Sequence, residues 1–76
     1  MVQQRKNSET GTANEHYNLI SVIYHSLQSA TACDTYIQDA DSSGDRKLSQ
    51  FFQQVKEQNT QQAEQAKKLM TQRMSQ

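Results

Sequence analysis

Asp41-Ser42-Ser43-Gly44-Asp45 interrupts two long stretches of helical pattern and decides how they are joined. Glycine takes up the left-handed backbone conformation that closes a helix without the steric cost a Cβ imposes. An aspartate directly after it is a strong N-cap for a following helix. The pentapeptide therefore predicts a first helix over about 13–42, a turn over 42–45 and a second helix over about 46–74.

Working upstream, the apolar or small residues Ile20, Ile23, Leu27, Ala30, Cys33, Ile37 and Ala40 recur at steps of three and four, one face of an α-helix. Leu19, Val22 and Tyr36 widen that stripe, as in a bundle helix that touches more than one neighbour. Thr12-Ala13-Asn14-Glu15 has the form of a capping box and marks the start of this helix. Residues 1–11 are polar and read as a flexible N-terminal arm.

Downstream, Leu48, Phe52, Val55, Asn59, Gln62, Ala66 and Leu69 repeat at alternating steps of four and three, broadened by Phe51, Ala63 and Met70. No proline breaks either segment. Matched lengths and a short connection predict an all-α, antiparallel two-helix hairpin over 12–76. Counting outward from the turn pairs Ala40 with Leu48, Ile37 with Phe52, Cys33 with Val55 and Ala30 with Asn59. Leu27 then faces Gln62, Ile23 faces Ala66 and Ile20 faces Leu69.

The bulk properties narrow the function classes. A chain of 76 residues is one small domain, and such domains usually need disulfides, metal or association for stability. A single cysteine, Cys33, provides neither an internal disulfide nor a cysteine zinc site, so association is expected. Each helix carries a second apolar flank that a lone hairpin leaves wet, and a two-fold homodimer buries it most simply. Ile20, Ile23, Leu27, Ile37, Phe52, Val55 and Leu69 are the expected dimer core. Eight basic and eight acidic residues cancel, which gives no electrostatic footprint for nucleic acid or an anionic membrane. No apolar run approaches the ~20 residues that span a bilayer, and Met1 to Thr12 lacks the apolar region of a secretory signal. A reduced, cytoplasmic setting is the expectation. Mean hydropathy is low at -1.00, yet zero net charge and the ordered apolar pattern argue against disorder.

Asn59 and Gln62 stand on the second helix where aliphatic residues belong, with Ser26 and Ala30 opposite them leaving room. A buried amide without a partner costs about 1–3 kcal/mol, so a hydrogen-bonded polar layer of Ser26, Asn59 and Gln62 is expected. Such a layer fixes register and oligomeric state, as a single buried asparagine does in coiled coils.

Tyr17 to Gln28, Tyr36-Ile37-Gln38-Asp39-Ala40 and the pattern from Gly44 to Leu69 together resemble a bacterial ferritin-like, rubrerythrin-related family of helical hairpins. The resemblance covers roughly residues 14–74 and rests on pattern. It implies a hairpin that dimerises into a four-helix bundle. Members of that fold class place a Glu on one helix and Glu-x-x-His on its mate to hold two iron or manganese ions. Matching Gly44, Leu48 and Phe52 puts Ser26 near the first Glu, and Asn59 and Gln62 at the Glu-x-x-His positions. All three ligands are thereby neutral, and carboxamides poorly offset the desolvation of a hard divalent ion. The resemblance thus implies a non-enzymatic structural or protein-interaction module with no cofactor. The alternative is iron or manganese held by His25, Glu57 and Glu64 contributed across the dimer. An adaptor that docks a larger protein through its glutamines is a third possibility.

The remaining candidates read as structural. His16 and His25 are nine residues apart, on opposite sides of one helix, and do not share an ion. Cys33 lies in the apolar stripe as a small core side chain. Tyr17, Tyr24 and Tyr36 suit packing or an interface. The glutamine-rich run from Gln50 to Gln65 forms a solvated face, and Lys67, Lys68 and Arg73 complement the dipole at a helix C-terminus. Asp39, Asp41 and Asp45 lack the order and closing glutamate of a calcium loop.

Overall fold

The computed structural model describes residues 14–74; the proposed arm over 1–11 and the Thr12 of the capping box lie outside the described residues. Two helices account for nearly all of it: α1 (Asn14–Ser42) and α2 (Arg46–Met74), each of 29 residues and packed against the other as a hairpin.

The turn does what its residues dictate. Gly44 has φ +75° and closes α1 in the left-handed conformation. The Asp45 N–H donates to the Ala40 carbonyl at 2.9 Å, and the Gly44 N–H donates to the Asp41 carbonyl at 3.0 Å. Together these form the Schellman arrangement, which satisfies carbonyls that a helix end otherwise leaves open. Asp45 also starts α2, since its Oδ1 accepts from the Leu48 N–H at 3.1 Å. A Cβ on Gly44 would meet nothing within 4 Å, so Gly44→Ala brings backbone strain and no clash. That strain is expected to cost about 1 kcal/mol, read as a lower midpoint of thermal unfolding.

The seam between the helices follows a heptad rhythm, with small residues at its most buried positions. On α1, His16, Leu19, Ile23, Ser26, Ala30, Cys33, Ile37 and Ala40 are buried or half-buried at alternating steps of three and four. On α2, Ser49, Phe52, Lys56, Asn59, Ala63, Ala66 and Met70 do the same. The fully buried apolar set is Ala30, Cys33, Ala40, Ala63 and Ala66, joined by Ser26 and Ser49. Lys56 lays its stem in the seam and reaches out to Asp34, with Nζ 2.6 Å from Oδ1. Both groups of that pair are well exposed, so it stabilises the hairpin by no more than about 1 kcal/mol.

This corrects the expected layers. Ile20, Leu27, Leu48 and Leu69 were expected in the hairpin seam, yet they are 46%, 39%, 41% and 43% exposed. On α2 the packed line runs one residue later than the expected one, through Ser49, Ala63 and Met70 in place of Leu48, Gln62 and Leu69. One residue is about 100° of helix rotation. The reason is steric. A line of Ala, Ser and Cys lets two helices approach closely, whereas larger side chains sit better beside the contact than within it.

Two flanks border the seam. Cross-helix contacts of Ser26 with Gln62, Ser29 with Asn59 and Tyr36 with Phe52 mark one. It carries Glu15, Val22, Ser29 and Tyr36 of α1 at steps of seven, facing Leu48, Val55, Gln62 and Leu69 of α2 at the same step. Phe51, Gln58 and His25 border it. The Asp34–Lys56 pair marks the other flank, which also holds Glu64 and Lys67, their side chains 3.3 Å apart, and Glu57. Tyr17, Ile20, Tyr24 and Leu27 of α1 lie on that second flank.

Candidate functional site

The polar layer lies halfway along the hairpin. Gln28 and Thr60 are the central residues of the two helices, so Ser29 and Asn59 sit at mid-length. Ser26 is buried, and its hydroxyl donates to the Gln62 Oε1 at 3.4 Å. The Asn59 Nδ2 donates to the Ser29 Oγ at 3.0 Å. Asn59 and Gln62 of α2 are therefore each paired with a serine of α1. Asn59 is half-buried and Gln62 exposed, so within one hairpin only Ser26 is a true core member. An open depression of about 320 Å³ runs alongside, lined by Ser21, Val22, His25, Ser26, Asn59 and Gln62.

Chemically this set is neutral. The Ser26 hydroxyl faces a carboxamide oxygen, which does not take up a proton near neutral pH, so no base activates it as a nucleophile. His25 stacks edge-on against Tyr24, with ring centroids 5.4 Å apart. Glu57 lies beside Gln50, Gln53 and Gln54, and Glu64 is paired with Lys67. Within one chain His25 and the two glutamates thus occupy different flanks. Among the described residues no three of His, Cys, Asp and Glu converge as a metal-binding group. Cys33 is 1% exposed, a free thiol enclosed by the seam. Among the described residues, too, no helix is long and apolar enough to cross a membrane.

No family model matches the chain, nor does any curated protein or solved structure. The residues themselves are the ground for any functional reading.

Two partners escaped the sequence. Ser29 was not singled out as the acceptor for Asn59, although counting from the turn places it at that level. Ser49 was missed as a seam residue, because it stands beside the larger apolar Leu48, which dominates a hydropathy pattern.

Asn59→Leu tests the layer's role. Leucine adds apolar contact and leaves only an exposed serine without its donor, so unfolding is expected to shift upward by about 1 kcal/mol. Sedimentation should show a less uniform oligomer if the layer sets register. A single sharp species equal to wild type would show that it does not.

Proposed function

We propose that this chain is a non-catalytic helical-hairpin module that completes its fold by pairing with a second copy into a four-helix bundle, ferritin-like in plan and without a di-metal site. The observation that carries this reading is an inversion of size. The side chains buried within the hairpin are mainly alanines and serines, while Tyr17, Ile20, Val22, Tyr24, Leu27, Tyr36, Leu48, Phe51 and Leu69 stay exposed. A core of that kind supplies little hydrophobic stabilisation, and the exposed set is what an association surface contains. Ser26, Asn59 and Gln62 at the ligand positions implied by the resemblance support the metal-free part. We place the module in a reducing cytoplasm, where Cys33 stays a free thiol.

Sedimentation equilibrium over about 1–100 μM, a range chosen to bracket typical specific affinities, tests the reading together with metal analysis. The expected result is a dimer that takes up neither Fe²⁺ nor Mn²⁺ in stoichiometric amount. A monomer throughout that range would refute it. The alternative, iron or manganese shared between copies, needs His25 of one hairpin to reach Glu57 or Glu64 of the other although they occupy different flanks. Stoichiometric binding lost in His25→Ala would establish that alternative.

A further inference from the structure

We infer that the surface which receives the second copy is the flank whose middle is uncharged, the one carrying Val22, Tyr36, Leu48, Phe51, Val55 and Leu69, and that the Ser29–Asn59 level of one hairpin lies on the same level of the other. The inference rests on the self-association proposed above and adds which face performs it.

Three observations converge on this flank. The first is charge. The chain carries eight acidic and eight basic residues, yet between Glu15 at the open end and Asp39 beside the turn the positions that line this flank include no Asp, Glu or Lys. His25 stands at its border, and Arg73 continues the seam line of Phe52, Asn59 and Ala66 at the open end of the hairpin. Both ion pairs, Asp34–Lys56 and Glu64–Lys67, fall on the other flank. A two-fold axis brings every charge near its own copy, and burying like charges is costly. A face that keeps its carboxylates to its two ends meets itself along its middle without that penalty. A partner of different sequence is normally selected by opposite charge, which this flank does not offer.

The second observation is size. Two helices of 29 residues are each about 43 Å long and lie roughly 9 Å apart. With a helix diameter of about 10 Å their shared face is about 19 Å wide and presents about 800 Å², the area each partner buries in an interface of standard size. The opposite flank is apolar only on the first half of α1, where Tyr17, Ile20, Tyr24 and Leu27 sit, and α2 faces them with charged and polar residues. The third observation is the place of the amides. Asn59 and Gln62, with Ser29 and Gln58, form a polar band between the apolar groups at the two halves of this flank, and the middle meets the middle whether the second hairpin lies parallel or antiparallel to the first. Full overlap then pairs amide with amide, whereas a slipped register sets them against Leu48 or Leu69 and leaves polar groups unpaired.

Ser29 and Thr31 make a matched pair for the test, because both are exposed, both lie at mid-length, and they face opposite flanks. Ser29→Cys and Thr31→Cys are each treated with a bismaleimide that spans about 10 Å, the spacing of packed helices. Wild type, whose Cys33 is enclosed, reports the background. Covalent dimer is expected to form at least about tenfold faster from Ser29→Cys than from Thr31→Cys, in keeping with the short reach of the reagent. Equal or faster capture by Thr31→Cys would overturn the face assignment and leave self-association intact. So would a dimer in sedimentation that neither variant captures. A wild-type chain that sediments as a monomer would remove the self-association on which the inference stands.

Discussion

Ala63→Leu is expected to destabilise the hairpin by about 3 kcal/mol, the upper end of the usual cost of overpacking. Ala63 has no exposed surface, and it lies in the seam at the level of Ser26. Three added carbons have no free volume to enter, so the helices must separate or the leucine must leave its preferred rotamer. Separation weakens Ala30, Cys33 and Ala66 at once, because all of them depend on the same close approach. A small domain rarely holds more than 3–5 kcal/mol of net stability from its core, so most of the cooperative transition should be lost. Thermal unfolding followed by far-UV circular dichroism measures this. Gln61→Leu, two residues away, exposed and on the outer face of α2, is the control and should leave the midpoint unchanged or raised. Equal losses from both would show that the seam is not the sterically closed contact described above.

The second large effect concerns association. In the proposed dimer, Val55→Glu places a carboxylate at the uncharged middle of the contacting flank of both copies, where two-fold symmetry would bring the pair together. Burying an unpaired charge costs several kcal/mol, which corresponds to at least about a 100-fold weaker dimer. Glutamate is a better helix former than valine, so the hairpin itself is not penalised by intrinsic preference. Leu27→Glu on the other flank is the matched control, being about two-fifths exposed and apolar in the same way. Dissociation constants from sedimentation should separate the two variants. Loss of the dimer in Leu27→Glu with Val55→Glu intact would place the contact on the charged flank.

The hairpin was legible in the sequence because its punctuation is chemical. Gly44 and Asp45 name their own roles, and the absence of proline over the rest leaves the two helices unbroken. Which line of each helix faces the other was not legible in the same way. Leu48, Gln62 and Leu69 each stand one place before Ser49, Ala63 and Met70, and a search for recurring hydrophobicity follows the larger residue of each pair. Burial in a close-packed seam follows the smaller one on two of the three occasions. The amides at Asn59 and Gln62 were recognisable as exceptions, but their partners required three dimensions, since a serine 30 residues away carries no local mark as an acceptor. The chemistry at this level is legible from composition alone, because hydroxyls and carboxamides remain neutral wherever the helices set them.

The three-residue link between α1 and α2 has a mechanical consequence. It holds the helices antiparallel, so Asn14 and Met74 leave the molecule at one pole, with Gly44 at the other. A tether that pulls on those two ends parts the layers one after another, starting with Leu19 and Met70, and never loads them all together. The hairpin therefore yields like a zip under tension, at low force, and the Schellman turn is the last contact to open.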